Sequence, residues 1–256
     1  MAPVEHSRLE TLLFRLALSF DRMRTTAFRF RWRGLSFRAR PVDVNAINEV
    51  LLDDEYGGLR PLLAAAPAAP VIVDAGANIG LFAIFVLALR PDAIVHSLEP
   101  APATFRVLAR NVLGNSRFKW HAHRLALWRD AGMIPFESQS ASTGSYVVQD
   151  HDVTSAQTET VPAQTLAGWL KEHDLARVYL LKLDIEGAEQ AVLEAAPSVL
   201  DRISHLIVEI HPGRVDEEAI IQLIESKFPF VQALPRRKSN KPLILASRQP
   251  SDTSKV

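Results

Sequence analysis

Val71-Ile72-Val73-Asp74-Ala75-Gly76-Ala77-Asn78-Ile79-Gly80 is the stretch from which the fold is read. Its first three residues form a short continuous apolar run, as expected of a strand buried on both faces. Gly76 and Gly80 permit a tight turn and close approach of a ligand, and Asn78 tolerates a left-handed backbone better than other non-glycine residues. The next segment, Leu81 to Leu89, is apolar almost all round and reads as a buried helix that stops at Arg90-Pro91. Strand and helix patterns then alternate. Strands are expected at Val95 to Leu98, Trp120 to Leu127, Tyr179 to Leu183 and Leu206 to Ile210. Helices are expected after Pro100, after Thr165, through Leu193 and from Asp216 to Lys227, and two closing strands flank the basic turn Arg236-Arg237-Lys238. This order predicts an α/β fold with a doubly wound, mostly parallel sheet.

Upstream, Leu9, Leu12, Leu13, Leu16 and Phe20 recur at helical spacing, so residues 7 to 22 predict an amphipathic helix. Phe28-Arg29-Phe30-Arg31-Trp32-Arg33 alternates strictly, turns at Gly34 and resumes as Leu35-Ser36-Phe37-Arg38, which predicts a hairpin with aromatics inward and arginines outward. A helix near Asn45 carries Ile47, Val50 and Leu51. The expected organisation is therefore an Arg-rich helix and hairpin extension (1–44), a main domain (45–248) and a disordered tail (249–256). Residues 132 to 162 read as short strands joined by a Ser/Thr/Gly/Asp-rich loop.

Composition narrows the chemistry. The chain has no cysteine, which excludes disulfides, thiolate metal sites, iron–sulfur clusters and thiol nucleophiles. A formal net charge of zero gives no global attraction to nucleic acid or to an anionic membrane. Charge is local instead: Arg8, Arg15, Arg22, Arg24, Arg29, Arg31, Arg33, Arg38 and Arg40 crowd the first forty positions. The hairpin arginines read as a solvated strand face, with a nucleic-acid grip or a membrane-surface helix as the other readings. No apolar run there is long enough to span a bilayer and no cleavage pattern is present, so the expected compartment is the cytoplasm.

In an open parallel sheet, ligands bind beyond the carboxyl ends of the strands near the point where strand order reverses. Asp74 ends the first strand, as a turn-former or a ligand contact. Glu99 ends the second, about twenty residues beyond the glycine loop, the separation at which nucleotide folds place an acid on ribose hydroxyls. A dinucleotide site shares that spacing. A pyrophosphate, however, is held by unobstructed N–H groups at a helix start, whereas a sulfonium ligand with a cationic amino-acid tail favours acids. The fourth strand carries Lys182, Asp184 and Glu186 at period two, charges that need partners if buried. For Asp184 an N-cap is the alternative, and for Lys182 a structural ion pair with a neighbouring strand is expected. The fifth strand ends in Val208-Glu209-Ile210-His211, where a carboxylate at period two would orient an imidazole able to accept a proton near neutral pH.

VIVDAGANIG (71–80), LEP (98–100), the helix of Asn111, LALWRDAG (125–132), KLDIEGAEQAVLEAA (182–196) and VEIH (208–211) resemble the FkbM family of methyltransferases, over roughly Asn45 to Leu234. The resemblance implies a class I, Rossmann-like fold with a seven-stranded sheet, S-adenosylmethionine as donor, and O-methylation of a natural-product, small-molecule or sugar hydroxyl. By position it implies that Asp74, Gly76, Ala77, Asn78 and Gly80 shape the methionine end of the cofactor site. Glu99 and Pro100 then lie at the ribose, and Ala126 and Leu127 near the adenine. Asp184, Glu186, Glu209 and His211 line the acceptor side, with Tyr56 closing the pocket. Apart from the resemblance, the period-two pairing at the end of the fifth strand makes His211 the expected base, oriented by Glu209, while Asp184 positions the acceptor or the cofactor's amino group. No metal is required, although a cation held by Asp184 and Glu209 is another way to acidify a hydroxyl. The Arg-rich extension and Trp128-Arg129 depart from the family pattern and bear on the acceptor. The rival readings are an RNA methyltransferase gripping phosphates with the arginine hairpin, and a non-catalytic cofactor-binding homologue.

Overall fold

Val71–Ala75 forms strand β3, with all but its first residue buried, and pairs in parallel on both sides. In the computed structural model, which describes residues 26–137, 146–147, 158–195, 197–236 and 239–250, its neighbours are β4 (Ile94–Leu98) and β10 (Val178–Leu183). β5 (Lys119–His123) extends the sheet beyond β4, and β11 (Ile203–Glu209) lies beyond β10. The far edge is made by β13 (Leu243–Ser247) and β12 (Phe230–Leu234), giving the order β12-β13-β11-β10-β3-β4-β5. The sheet is mixed: β13 runs antiparallel to both its neighbours, because the short connection after β12 makes a hairpin. The chain goes from β3 outward to β5, then returns to add β10 on the other side of β3. The carboxyl ends of β3 and β10 are thus neighbours at the switch point.

The crossover helices are α3 (Leu81–Leu89), buried from Leu81 to Leu87, and α4 (Pro102–Gly114), which starts with proline where no N–H partner is needed. α5 (Leu166–Glu172) is capped by Thr165, whose hydroxyl accepts from Gly168 N at 3.0 Å. α6 (Glu189–Ala195) follows β10, and α7 (Glu217–Lys227) is capped by Asp216. A second, four-stranded sheet is made by β6 (Ala126–Leu127), β9 (Thr158–Gln164), β7 (Gly132–Glu137) and β8 (Tyr146–Val147).

The expected hairpin forms as β1 (Phe28–Trp32) and β2 (Leu35–Ala39), with Phe28, Phe30, Trp32, Leu35 and Phe37 buried and Arg29, Arg31 and Arg33 exposed. Those aromatics share one apolar cluster with α3 and with Ile72 and Leu180 of the sheet. Two buried amides lock the hairpin to α4. Asn111 accepts from Arg38 N at 2.6 Å and donates to Arg38 O and Ile79 O, while Asn115 makes the same two-way contact with Ser36. The helix near Asn45 is a short α1 (Val44–Ile47) that widens into a π-turn, Asn48–Leu52. The helix expected over 7 to 22 and most of the expected tail lie outside the described residues. Among the described residues no helix is long and apolar enough to cross a membrane.

Candidate active site

The loop after β3 is shaped by three left-handed residues, Gly76 (φ 73°), Asn78 (φ 52°) and Gly80 (φ 90°). Gly76 is also the point where two strands nearly touch: a Cβ there would sit 1.7 Å from the Asp184 carbonyl oxygen. Glu99, just past β4, accepts from Asn78 N and from Ala101 N, each at 2.9 Å, so this acid pins the loop in place. Burial pushes its pKa up to about 7 against those two hydrogen bonds. Pro100 follows it, Ala77 is buried in the loop, and Ala126 and Leu127 are buried in β6. The loop is thus a backbone cradle that a side chain would fill, closed at one end by an acid with lone pairs to spare. Such a cradle lets a ligand approach the backbone closely and offers acceptor oxygens for its hydroxyl or amino groups.

Asp74 is fully buried, and Lys182, its register partner on β10, places Nζ 3.2 Å from Oδ1. The same ammonium donates to Gly76 O at 3.2 Å and Ala75 O at 3.4 Å and lies 3.4 Å from Asp184 Oδ2. Lys182 is therefore the structural ion-pair partner that its position predicts, and it also anchors the cradle. Burial raises the Asp74 pKa, and Lys182 opposes that rise.

Beyond the ends of β10 and β11, Asp184, Glu186, Glu209 and His211 converge. His211 is 3% exposed. Its Nε2 lies 3.1 Å from Glu186 Oε2 and 3.9 Å from both Asp184 Oδ1 and Glu209 Oε1. Its Nδ1 lies 3.0 Å from Oε1 of Glu189. Glu189 is the fully buried first residue of α6, and it also accepts from Ile185 N and Gly187 N, each at 2.9 Å. The carboxylate that fixes the imidazole is thus Glu189, where the strand pattern predicts Glu209. Glu209 turns instead to Arg236 Nη1 at 3.1 Å and Lys241 Nζ at 3.3 Å, and Arg236 also pairs with Glu55.

This crowd of acids changes the titration expected of the imidazole. Burial alone would lower the His211 pKa, but the close Glu186 carboxylate, the hydrogen bond to Glu189 and the field of Asp184 carry it up to about 10. Its neighbours therefore favour the charged form of the ring, against the cost of burial, whereas the sequence pattern points to a base titrating near neutrality. Burial and Asp184 push Glu209 upward, while burial of Glu186 is outweighed by His211, which pulls it down to about 2.

Tyr56 lies within the core at 2% exposure, its ring edge-on to Phe82 at 4.8 Å. Burial raises its phenol pKa, and Asp184 and Glu209 are near enough to add to that rise. A cavity of about 660 Å³ opens beside the Glu186-Gly187 turn, lined by Trp128, Arg129, Gly187, Gln190 and Arg214 among others. Sequence reasoning missed Glu189, Glu55, Arg236 and Lys241. An acid opening a helix reads as ordinary dipole compensation, Arg236 reads only as part of a basic turn, and no sequence pattern singles out Lys241 just beyond it.

Residues 74–234 match the family profile described as Methyltransferase FkbM domain. Methyltransferase 1 of Beauveria bassiana is 30% identical over 208 residues, covering 74% of this chain and 82% of that protein. The 31-O-demethyl-FK506 methyltransferase FkbM of Streptomyces tacrolimicus is 28% identical, covering 55% of this chain and 65% of its own length. The hexuronic acid methyltransferase AglP of Haloferax volcanii is 30% identical, covering 68% of this chain and 69% of that protein.

Proposed function

Because this chain belongs to the FkbM methyltransferase family, we propose that it transfers a methyl group from S-adenosylmethionine to a hydroxyl of a small-molecule or carbohydrate acceptor. The observation that carries this reading is the adjacency of two differently built half-sites across the β3–β10 switch point. One is the Gly76–Gly80 cradle with Glu99; the other is the open-sided acid and imidazole cluster. The names of the similar proteins, one a methyltransferase of 31-O-demethyl-FK506 and one of a hexuronic acid, agree with a hydroxylated acceptor.

The donor supplies an already activated sulfonium methyl. The protein's part is then placement, exclusion of water and a path for one proton. Glu99 takes the ribose hydroxyls, and Asp74 and Lys182 hold the shape of the cradle behind it. Asp184, 26% exposed, is the carboxylate of the cluster most open to an acceptor. As the acceptor oxygen takes the methyl, the bond from methyl to sulfur breaks and the hydroxyl proton passes to a carboxylate of the cluster. Glu209, whose affinity for a proton is raised by burial and by Asp184, suits that role. His211 acts by position and charge.

Calorimetry tests the reading. S-adenosylhomocysteine should bind with micromolar affinity and NAD should not bind. Glu99→Ala should weaken that binding by about 1.5–3 kcal/mol, the range for hydrogen bonds to a charged group. The reading fails if NAD binds in preference, or if the Glu99 variant binds S-adenosylhomocysteine as tightly as the wild type.

A further inference from the structure

The two ring nitrogens of His211 are used differently. Nδ1 is 3.0 Å from Glu189 Oε1, and Glu189 is held by two backbone N–H groups, so that carboxylate can only accept and Nδ1 must carry the proton. Nε2 is buried and makes no hydrogen bond of acceptable geometry, although it points among carboxylates. A carboxylate behind one nitrogen of a histidine, with the other nitrogen presented to oxygen ligands, is how proteins orient an imidazole for a metal.

The spacing around Nε2 fits that use. One oxygen each of Asp184 and Glu186 and one nitrogen of His211 all lie within 4.8 Å of one another. Ligands about 2.0–2.2 Å from a shared ion stand at most roughly 4.4 Å apart, so a small inward movement closes the set. Glu209 is engaged by Arg236 and Lys241 and is left outside it. Lys241 at 3.6 Å and Arg214 at 3.8 Å from Glu186 Oε2, and Lys182 at 3.4 Å from Asp184 Oδ2, are the cations an incoming ion must outcompete. Asp184 and Glu186 are partly exposed, so the ion has a route in and an open coordination position.

We propose that Asp184, Glu186 and His211 form a binding site for a divalent cation of the kind that accepts mixed imidazole and carboxylate ligands, with Glu189 as the positioning residue behind the histidine. The role of the ion rests on the methyl-transfer reading: at the open position it would hold the acceptor hydroxyl and make its proton easier to lose, with Glu209 beside it to receive that proton.

The test is a titration of the full chain, stripped with EDTA, with Mn²⁺, following the free-ion electron paramagnetic resonance signal. One ion per chain should bind with Kd below about 100 μM, equivalent to roughly −5.5 kcal/mol. Glu186→Gln and His211→Gln should each weaken Mn²⁺ at least about tenfold, and Glu189→Gln by about 10–100-fold, the range for an outer-shell partner. Should His211→Gln not fold, Asp184→Asn, at a partly exposed position, serves in its place. Substoichiometric binding at millimolar Mn²⁺, or unchanged affinity in the ligand variants, overturns the site. S-adenosylhomocysteine binding measured on the same EDTA-treated protein keeps the two readings apart. Its loss counts against methyl transfer, whereas its retention without Mn²⁺ binding counts against the cation site alone.

Discussion

Replacing Lys182 by methionine is the perturbation with the clearest energetic consequence. Methionine keeps most of the apolar stem but removes the ammonium that faces Asp74 at 3.2 Å, at a place where Asp74 is fully buried and Lys182 is 4% exposed. Removing one partner of a buried pair leaves an uncompensated charge and costs about 3–5 kcal/mol. That is a large part of the roughly 5–15 kcal/mol by which a domain is stable. Asp74→Asn in the same background removes the stranded charge. The double variant should therefore lose only about 1–3 kcal/mol relative to wild type, from the hydrogen bonds to the Ala75 and Gly76 carbonyls. Asp74 in the single variant must also have its pKa raised above the unfolded value. The excess destabilisation is then present at high pH and shrinks as pH falls through the raised pKa. Urea unfolding of wild type, Lys182→Met and the double variant at pH 8 and pH 6 measures all three effects. A loss below about 1 kcal/mol in the single variant, or simple additivity in the double, would show that the pair is not what holds the cradle.

Gly76→Ala would place a methyl group 1.7 Å from a backbone oxygen at φ 73°, where neither side can yield. Loss of soluble protein or of S-adenosylhomocysteine binding is expected, and a variant that melts and binds like wild type refutes the close contact. Trp32→Ala, at 1% exposure in the cluster shared with α3, should cost about 3–5 kcal/mol by urea unfolding, the range for a buried tryptophan. A loss below about 1 kcal/mol would mean that the hairpin is peripheral to the core. His205, with Nδ1 2.9 Å from Ser247 Oγ, is held by burial at a pKa of about 4, below its unfolded value. Its stabilising contribution is therefore present above about pH 6.5 and lost as pH falls toward 4. The stability gap between wild type and His205→Asn should shrink by about 1.4 kcal/mol per pH unit in that window, and a constant gap excludes the argument.

The parts of the molecule that are legible in the sequence are those whose cause is local. β3 and β10 read as continuous apolar runs because both faces of a central strand are covered, and β1 and β2 alternate because one face is wet. The same locality places Asp74, Gly76, Asn78, Gly80 and Glu99 at strand ends and shows Lys182 to need a partner. His211 marks where it stops. The period-two argument that aligned it with Glu209 assumes a continuing pleat, but β11 ends at Glu209. Two residues past that end the backbone is free to turn, and the imidazole goes to Glu189, more than twenty positions away in the chain. What determines its chemistry comes from four segments: Asp184 and Glu186 after β10, Glu189 at the start of α6, Glu209 on β11, and the Arg236–Lys241 connection that draws Glu209 aside. Each of these is unremarkable where it stands, a helix-start acid or a basic turn, and only the closing of β12 and β13 against β11 turns them into one electrostatic unit. The identity of an imidazole near a strand end is thus a sequence-level fact, while its protonation is a property of the topology. The consequence is specific: a reading of His211 as a neutral base follows from its own unperturbed pKa, and a reading of it as a cation or a metal ligand follows from its neighbours, whose combined charge outweighs the cost of its burial.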